Sequence, residues 1–533
     1  MKEKITMIEL FSGIGAQERA LRQLDIPYEV VHTCDLDKDA VLSYAAMRHD
    51  FEKEFSSYNF PSAEDMVAEL QAKNVGYDFM KGKHTITSRT PINKLKQYYL
   101  ADKLSHNLGD ISKLERLPYA DIATYSFPCV DLSVAGRGNG MQNKCSSCGH
   151  SWPMDFSNAN GTVTCPNCGA TVSASTRSGL LGQVQRLLAV AYDNNELPKY
   201  LLLENVKNLV GKKFKPQFDA WIGWLDSIGY NTYYQVLNAK RYGIPQNRER
   251  IFAVSIRKDI DDDTFKFSEE IALTTRLKDI LEKNVDEKYY LPDDRIDKIL
   301  NSTFMQEKKH IQTQNVEDDA SPIRICNIYD DRFGTGYAGN VWDQDGISPT
   351  IQTAQGGNRQ PLVIDEIKVV GNYMPSNHDA SRVVDIDGIA PTVKENHGTV
   401  TAIAEPVAEE SERYGIKVRN QATEFAGFDE VAGTLLARDY KGFGNQEMNA
   451  VLENNNTDTK WRIRKLTTKC CWRLMGFSDN DHDRAAKYVS ASALYKQAGN
   501  SICTCCLIAI FNSLFNKDSS ESYTEKLVDY NQP

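Results

Sequence analysis

Residues 5–33 read ITMIELFSGIGAQERALRQLDIPYEVVHT, an apolar β-type run from Ile5 to Leu10, a turn carrying Gly13 and Gly15, an Ala/Leu/Arg segment to Leu24, and a second β-type run from Tyr28 to Thr33. This is a βαβ opening. The glycines let a ligand approach the backbone where the helix begins, although the three-glycine dinucleotide spacing is incomplete and a packing role for the turn carries equal weight. Cys34-Asp-Leu-Asp37 ends the second strand, where Asp35 can accept hydrogen bonds from ribose hydroxyls. Asp110, in Leu108-Gly-Asp-Ile111, stands at the end of an expected third strand and suits an exocyclic amine of adenine. Three strand-end elements in this order point to an adenosine-containing cofactor.

Working outward, strand-like runs recur at Asp121 to Tyr125, Tyr200 to Leu203, Tyr233 to Leu237 and Arg250 to Ile256. A doubly wound parallel sheet ending near Arg257 is the economical reading. Residues 50–105, rich in charge and aromatics with helical spacing around Ala63 to Ala72 and Ile92 to Leu104, read as an insertion between core elements. Past Asp259 the texture changes to acidic clusters, turn residues and short β-branched runs. Gly346-Ile-Ser-Pro-Thr-Ile351 recurs there as Gly388-Ile-Ala-Pro-Thr-Val393, with Val431-Ala-Gly-Thr-Leu-Leu436 as a degenerate third copy. Such a repeat suggests a strand pair joined by a Gly/Pro turn, and by itself it needs no function. Helical spacing returns from Lys469 and Ala491, so the last segment is expected to dock back on the first domain.

A chain of 533 residues implies two or more domains. No secretory apolar region follows Met1, and the most apolar stretch, Ile502 to Phe511, is far too short to span a bilayer, so a cytoplasmic protein without a membrane role is expected. The net charge of −10 repels nucleic acid on average. Two local concentrations oppose it: Lys460, Arg462, Arg464, Lys465, Lys469 and Arg473, with no acid up to Ser478, and Arg241, Arg248, Arg250, Arg257 and Lys258. These are either solvated faces or the places where DNA would bind.

Ala120-Asp-Ile-Ala-Thr-Tyr-Ser-Phe-Pro-Cys129 is a short apolar run broken at Pro128, leaving Cys129 at the carboxyl edge of a sheet as either a half-buried thiol or a nucleophile. Leu201-Leu-Leu-Glu204-Asn-Val206 sets an acid directly after a buried strand, as a helix cap or as a group held for chemistry. Arg248 and Arg250, two apart on an expected strand, share a face that can clamp a carboxylate, a phosphate or a carbonyl oxygen. Finally, Cys145-x-x-Cys148 and Cys165-x-x-Cys168, 16 residues apart and each followed by glycine, read as a zinc ribbon with four thiolates on one structural metal ion. The ribbon either braces the mobile loop after Cys129 and touches DNA or staples an insertion.

The order of motifs resembles the DNA (cytosine-5) methyltransferase family: Phe-Ser-Gly-Ile-Gly at 11–15, Pro128-Cys129, Glu204-Asn-Val206, Gln246-Asn-Arg-Glu-Arg250, Arg464-Lys-Leu-Thr467 with Arg473-Leu-Met-Gly-Phe477, and Gln497-Ala-Gly-Asn-Ser501. The repeats look like those of phage and prophage members. The resemblance implies a Rossmann-like α/β S-adenosylmethionine-dependent catalytic domain over 1–257, with the insertion at 50–105 and the zinc ribbon at 143–170. A smaller β-rich target-recognition domain over 258–480 follows, and residues 481–533 complete the catalytic domain. It further implies Cys129 as nucleophile toward carbon 6 of cytosine, Glu204 as proton donor to ring nitrogen 3 and Arg250 as holder of the carbonyl oxygen. Asn205 would support the site. Phe11, Gly13, Gly15, Asp35, Leu36, Asp110 and Asn500 would line the pocket for S-adenosyl-L-methionine. The expected partner is double-stranded DNA, with the base flipped out, and the expected state is a monomer. Gly136, Gly138 and Gly140 would lend flexibility to the loop, in which Val130 replaces the glutamine common after the cysteine. Thr468, Cys470 and Ser478 also depart from the family pattern. Methylation of RNA, or a silent DNA-binding protein that kept the fold, are the rival readings.

Overall fold

The structure, a computed structural model, describes residues 4–79, 81–128, 132, 142–145, 147–154, 156, 163–172, 180–273, 275, 277–280, 282, 285–286, 467–516 and 523–527, together with the backbone of the strands between 324 and 465. The opening unit is β1 (Ile5–Leu10), α1 (Ala16–Gln23) and β2 (Tyr28–Cys34). Asp37 caps α2 (Lys38–Arg48), its side chain accepting from the N–H groups of Asp39 and Ala40. The 50–105 segment folds into α3 (Phe51–Ser57), α4 (Ala63–Ala72), a small hairpin of β3 (Tyr77–Asp78) and β4 (Lys83–His84), and α5 (Ile92–Leu104). Next come β5 (Ile122–Tyr125), a hairpin of β6 (Gln142–Lys144) with β7 (Ser151–Pro153), and a hairpin of β8 (Val163–Thr164) with β9 (Thr171–Val172). The domain continues through α6 (Leu180–Asp193), β10 (Tyr200–Val206), α7 (Lys215–Ser227), β11 (Tyr230–Asn238), β12 (Gln246–Asn247) and β13 (Glu249–Arg257).

Six strands make the central sheet in the order β11-β13-β10-β5-β1-β2. The parallel expectation holds for β2, β1, β5 and β10, and fails at β13, which runs antiparallel to both β10 and β11. The reason is the connection. A short connection, the helical turn Ala239–Tyr242, Gly243 in the left-handed region at φ 96° and the two-residue β12, leads from β11 to β13. A parallel return needs a crossover of about a dozen residues or more. The strand expected before Asp110 is reduced to a single parallel bridge, Thr33 to Asn107.

Alternating residues of each strand bury against helices on opposite faces. Met7, Leu202, Phe252, Val254 and Ile256 face one apolar cluster with Leu21, Val41 and Leu100, and Ile8, Leu10, Leu201, Leu203, Ile251 and Ala253 face the other, with Leu187, Phe218 and Trp221. The first cluster also holds Met66, Leu70 and Leu95 of the 50–105 segment, which is therefore built into the core rather than laid on it. The helix Thr504–Phe515 packs on α1, Asp479–Ala486 and Ala491–Asn500 pack on α2, and Thr468–Arg473 packs on the latter two helices. Asp481 receives Arg19 and Arg22 of α1 at 2.9 and 3.0 Å, and Ser43 of α2 donates to Gln497 at 3.0 Å. The resemblance put the recognition domain's boundary at 480, yet Cys470, Trp472, Met475 and Phe477 are buried in the same cluster as Leu21 and Phe511, in keeping with the helical spacing that returns at Lys469. No single helix among the described residues is long and apolar enough to cross a membrane.

The stretch from 324 to 465 is β-rich. Arg324–Asn327, Asn340–Trp342 and Leu362–Val363 form one sheet, and Val369–Asn372, Arg382–Val384, Ala402–Glu405, Lys460–Lys465, Met448–Asn455 and Tyr414–Val418, in that spatial order, form another. Of the repeat, Gly346–Ile351 and the 431–436 copy lie outside the described residues, while Ala390–Pro391 of the second copy pairs in parallel with β12.

Candidate active site

In the sheet β1 is flanked by β2 on one side and by β5 on the other. Such a reversal of strand order opens a crevice at the carboxyl ends of the strands, where open α/β folds take ligands. Leu10 and Leu203 both pair with Tyr125, so β1 and β5 end level with Leu203, while β10 runs on to Val206 and carries Glu204 inside the strand rather than after it, because it continues to pair with β13. The residues just beyond, Phe11, Ser126 and Glu204, therefore rim one crevice. Cys129 follows three residues after Ser126 and lies outside the described residues, as do Val130, Gly136, Gly138 and Gly140.

Glu204 pairs across the ladder with Phe252, which makes Arg250 its diagonal neighbour on the same face. Arg250 Nε lies 3.3 Å from Glu204 Oε1, both side chains being about nine-tenths buried. Burial pushes the Glu204 carboxyl above the ordinary range, against the pull of Arg250, of Arg248 and of a hydrogen bond with Ser126. Asn205 turns away from this face. Its Nδ2 donates to the Phe127 carbonyl at 3.0 Å, which ties the end of β10 to the segment that leads into Cys129.

Arg248 acts on Glu204 through its charge but gives its hydrogen bonds to the C-terminal segment. It precedes β13, is buried, and donates through Nη2 to the carbonyl of Ser501 at 2.5 Å and to that of Gly499 at 3.4 Å. Gln246 likewise donates to the Leu474 carbonyl at 2.6 Å. The clamp expected of two arginines on one strand is thus divided, one guanidinium for the acid and one for the C-terminal segment. The spacing of alternate residues was a correct signal only if both lay inside the strand.

At the neighbouring crevice edge the turn after β1 carries Phe11 at φ 59°, Gly13 at φ 53° and Gly15 at φ 73°. Asp35 binds this turn, accepting from Gly13 N at 2.7 Å through one oxygen and from Asp37 N at 2.8 Å through the other. Burial and the adjacent Asp37 charge push the Asp35 carboxyl up to about 6. Lys496, one turn before Asn500, pairs with Asp37 at 2.7 Å, and Asn500 ends its helix exposed to solvent. Arg48 was not singled out from sequence, and it holds the turn from behind. Stacked on the Tyr44 ring at 3.5 Å, it donates to the Gly15 carbonyl at 2.8 Å and pairs with Glu18 at 2.7 Å. A Cβ on Gly15 would stand 2.1 Å from that guanidinium, which explains the glycine. Asp110 is buried beyond the Thr33–Asn107 bridge, and Leu36 lies between the two acids, its carbonyl accepting from Gly76 N at 2.8 Å.

Apart from this crevice, Cys145, Cys148, Cys165 and Cys168 bring their sulfurs within 4.8 Å of one another. The Cys145–Cys168 and Cys148–Cys165 separations are 3.5 and 3.6 Å, far beyond a disulfide. The two knuckles repeat one turn. Gly149 N and Gly169 N donate to the Cys145 and Cys165 carbonyls, each at 2.9 Å and each glycine near φ 70°. The chain leaving the first knuckle is anchored in the catalytic core: Phe156 packs on Trp221 with ring centres 5.3 Å apart, and Gln185 donates to its carbonyl at 3.0 Å.

Most described members of the basic concentrations are engaged within the chain. Arg257 pairs with Asp259 at 2.6 Å, Lys258 with Asp226 at 2.8 Å, Lys469 with Asp483 at 2.9 Å and Arg473 with Asp479 at 2.7 Å.

Comparison with known proteins agrees with this geometry. The chain is 28% identical over 551 residues to the orphan methyltransferase M.SPBetaI of Bacillus phage SPbeta, covering 97% of this chain and 99% of that one. It is 30% identical over 373 residues to the orphan methyltransferase M.SssI of Spiroplasma monobiae, covering 68% and 83%, and 35% identical over 294 residues to the type II methyltransferase M2.ScrFI of Lactococcus lactis subsp. cremoris, covering 55% and 71%. The family description C-5 cytosine-specific DNA methylase matches residues 61–147 and 169–516, a span that takes in Cys129, Glu204, Arg250 and Asn500. With most of its length matched, the chain belongs to the C-5 cytosine-specific DNA methylase family and is a DNA (cytosine-5) methyltransferase.

Proposed function

We propose that the enzyme methylates a cytosine flipped out of a specific duplex DNA sequence through a covalent adduct between Cys129 and carbon 6 of the base. The observation that carries this reading is the buried Glu204–Arg250 pair at 3.3 Å, level with the end of the strand that leads to Cys129. Carbon 5 of cytosine is a weak nucleophile. The Cys129 thiolate forms a bond to carbon 6, and the electrons of the carbon 5–carbon 6 double bond move into the ring as Glu204 gives a proton to nitrogen 3. Arg250 holds the carbonyl oxygen and balances the charge that Glu204 leaves when it deprotonates. Carbon 5, now enamine-like, takes the methyl group; a base removes its proton, and loss of the thiolate restores the double bond as nitrogen 3 returns its proton to Glu204. The raised carboxyl of Glu204 suits a proton donor near neutral pH. The target atoms are buried in a duplex, so the base must leave the stack.

S-adenosylmethionine, the methyl donor of this family, supplies an electrophilic sulfonium methyl group when bound. The crevice residues fit it. Gly13 faces open space, with nothing within 4 Å of where a Cβ would stand. Asp35 offers carboxylate oxygens to ribose hydroxyls beside it, Asp110 an acceptor for the adenine amine, and Phe11, Gly15, Leu36 and Asn500 complete the rim. A zinc ion fits the four thiols. Sulfurs about 2.3 Å from a central ion stand roughly 3.8 Å apart at tetrahedral corners, close to the separations between the knuckles. Anchored through Phe156, the ribbon braces the far end of the Cys129 loop, and the β-rich stretch within 258–480 recognises the target sequence.

The test uses duplex DNA whose cytosines carry fluorine at carbon 5, which cannot leave as the proton does. The wild-type enzyme with S-adenosylmethionine should give a denaturant-stable protein–DNA complex, and Cys129→Ser none. Bisulfite sequencing of DNA from expressing cells reads the base and its context. Methylation without a trapped complex would exclude the covalent route.

A further inference from the structure

The 50–105 segment does more than fill space between core elements, because residues 73–76 at its centre are stitched to both acid-bearing ends of the cofactor crevice. Gly76 N donates to the Leu36 carbonyl at 2.8 Å, and Asp110 N donates to the Lys73 carbonyl at 2.9 Å. The contact is close enough to exclude side chains: a Cβ on Gly109, itself at φ 76°, would stand 2.3 Å from the Lys73 carbonyl oxygen. Lys73 in turn grips the same corner, donating to Asp102 at 2.6 Å and to the Asn107 carbonyl at 2.8 Å.

Asn74 stands in the middle of this seam, at φ 59°. Its Nδ2 donates to Asp110 Oδ2 at 2.7 Å. The amide cannot be turned over, since Lys113 Nζ donates to its Oδ1 at 3.0 Å while also donating to the Ala72 carbonyl at 2.7 Å. Asp110 Oδ1 is fully engaged by the N–H and hydroxyl of Ser112, at 2.9 and 2.7 Å. A carboxylate has about four acceptor positions. Three are used by described residues, and the one left belongs to Oδ2, the oxygen that Asn74 aims.

We infer that Asn74 is a positioning residue for the nucleobase of the cofactor, and that through Asp110 it sets the preference for a 6-amino over a 6-oxo purine. The inference rests on the reading of Asp110 as acceptor of the adenine amine. A fixed acceptor with one open position is satisfied by an amino N–H and left facing another oxygen by a 6-oxo group. Preorganised polar groups of this kind reject a mismatched ligand far more strongly than an apolar pocket does. Asn74 acts on the base alone, so it should leave the chemical step untouched.

The experiment is calorimetric titration of the full-length enzyme with S-adenosylhomocysteine and with S-inosylhomocysteine, its 6-oxo counterpart. Asn74→Gly removes the amide at no backbone cost, as glycine accepts this φ; Asn74→Asp keeps the shape and sets a like charge against Asp110. Wild type should prefer the amino ligand on the order of 10²-fold or more. Both variants should lower that preference about tenfold, by weakening the amino ligand, while kcat at saturating S-adenosylmethionine stays within about twofold. A wild-type preference in folded Asn74→Gly, alongside its loss in Asp110→Ala, overturns the role of Asn74 and leaves the pocket assignment standing. Retention of the preference in Asp110→Ala overturns both.

Discussion

Arg248 reaches the Ser501 carbonyl at 2.5 Å across 253 positions of sequence, one of the contacts that close the catalytic domain on itself. It joins the residue before the reversed strand β13 to the turn just after Asn500, so the Glu204–Arg250 pair and the residue proposed to end the cofactor rim share one support.

Replacing Arg248 by Ala should therefore act at both places. Two carbonyls lose a charged donor in a buried site, a loss of about 3 kcal/mol in folding free energy. Urea denaturation reads that change. The KM for S-adenosylmethionine should rise as well, since Asn500 is no longer held, and a rise in KM with unchanged stability would contradict the closure described above.

Glu204→Gln should lower kcat by about 10²–10⁴-fold with S-adenosylhomocysteine binding intact, as measured by turnover and titration. The pH dependence has a definite sign. Burial raises the carboxyl, and with its protonated form as the proposed donor kcat should fall as pH rises through its pKa. In the glutamine variant that limb of the profile should vanish.

Asp35 predicts opposite pH effects on binding and on stability. Its carboxyl sits at about 6 in the folded enzyme, above its ordinary 3.8. With the ionised form as the proposed acceptor of ribose hydroxyls, S-adenosylhomocysteine affinity should weaken as pH falls below about 6. For the unliganded fold the proton is held more tightly than in the unfolded chain. Its stabilising contribution is present below about 4 and lost as pH rises through about 6. Asp35→Asn should flatten both trends, seen by titration and thermal melting.

The thiol cluster should carry about one zinc per chain, measured by elemental analysis of the purified enzyme. Cys145→Ser and Cys165→Ser should lose it and lower kcat if the ribbon braces the Cys129 loop as proposed. S-adenosylhomocysteine binding, set on the other side of the sheet's switch point, should stay within about twofold of wild type.

Much of the site was legible in short stretches because its signals are local. The glycine turn after a β-type run, Asp35 at the next strand end, Glu204 after Leu201–Leu203 and the paired Cys-x-x-Cys knuckles each need only near neighbours to be recognised. Helices α4 and α5 likewise occupy the residues their apolar spacing predicts, Ala63–Ala72 and Ile92–Leu104. Asn74 had no such signal, being one polar residue in a turn whose partner lies 36 positions away.

Sequence alone determined the βαβ opening, the order of the chemical groups and the metal-type thiol spacing, since these follow from periodicity and from residue chemistry over a few positions. Tertiary structure decided the reversal of β13, the diagonal register that sets Arg250 against Glu204, the separation of Arg248 from that pair, and the placing of residues 73–76 against Asp110. Strand direction and register are properties of pairs of segments. They are chosen by which buried faces and hydrogen bonds can be satisfied together, and no single segment carries that information.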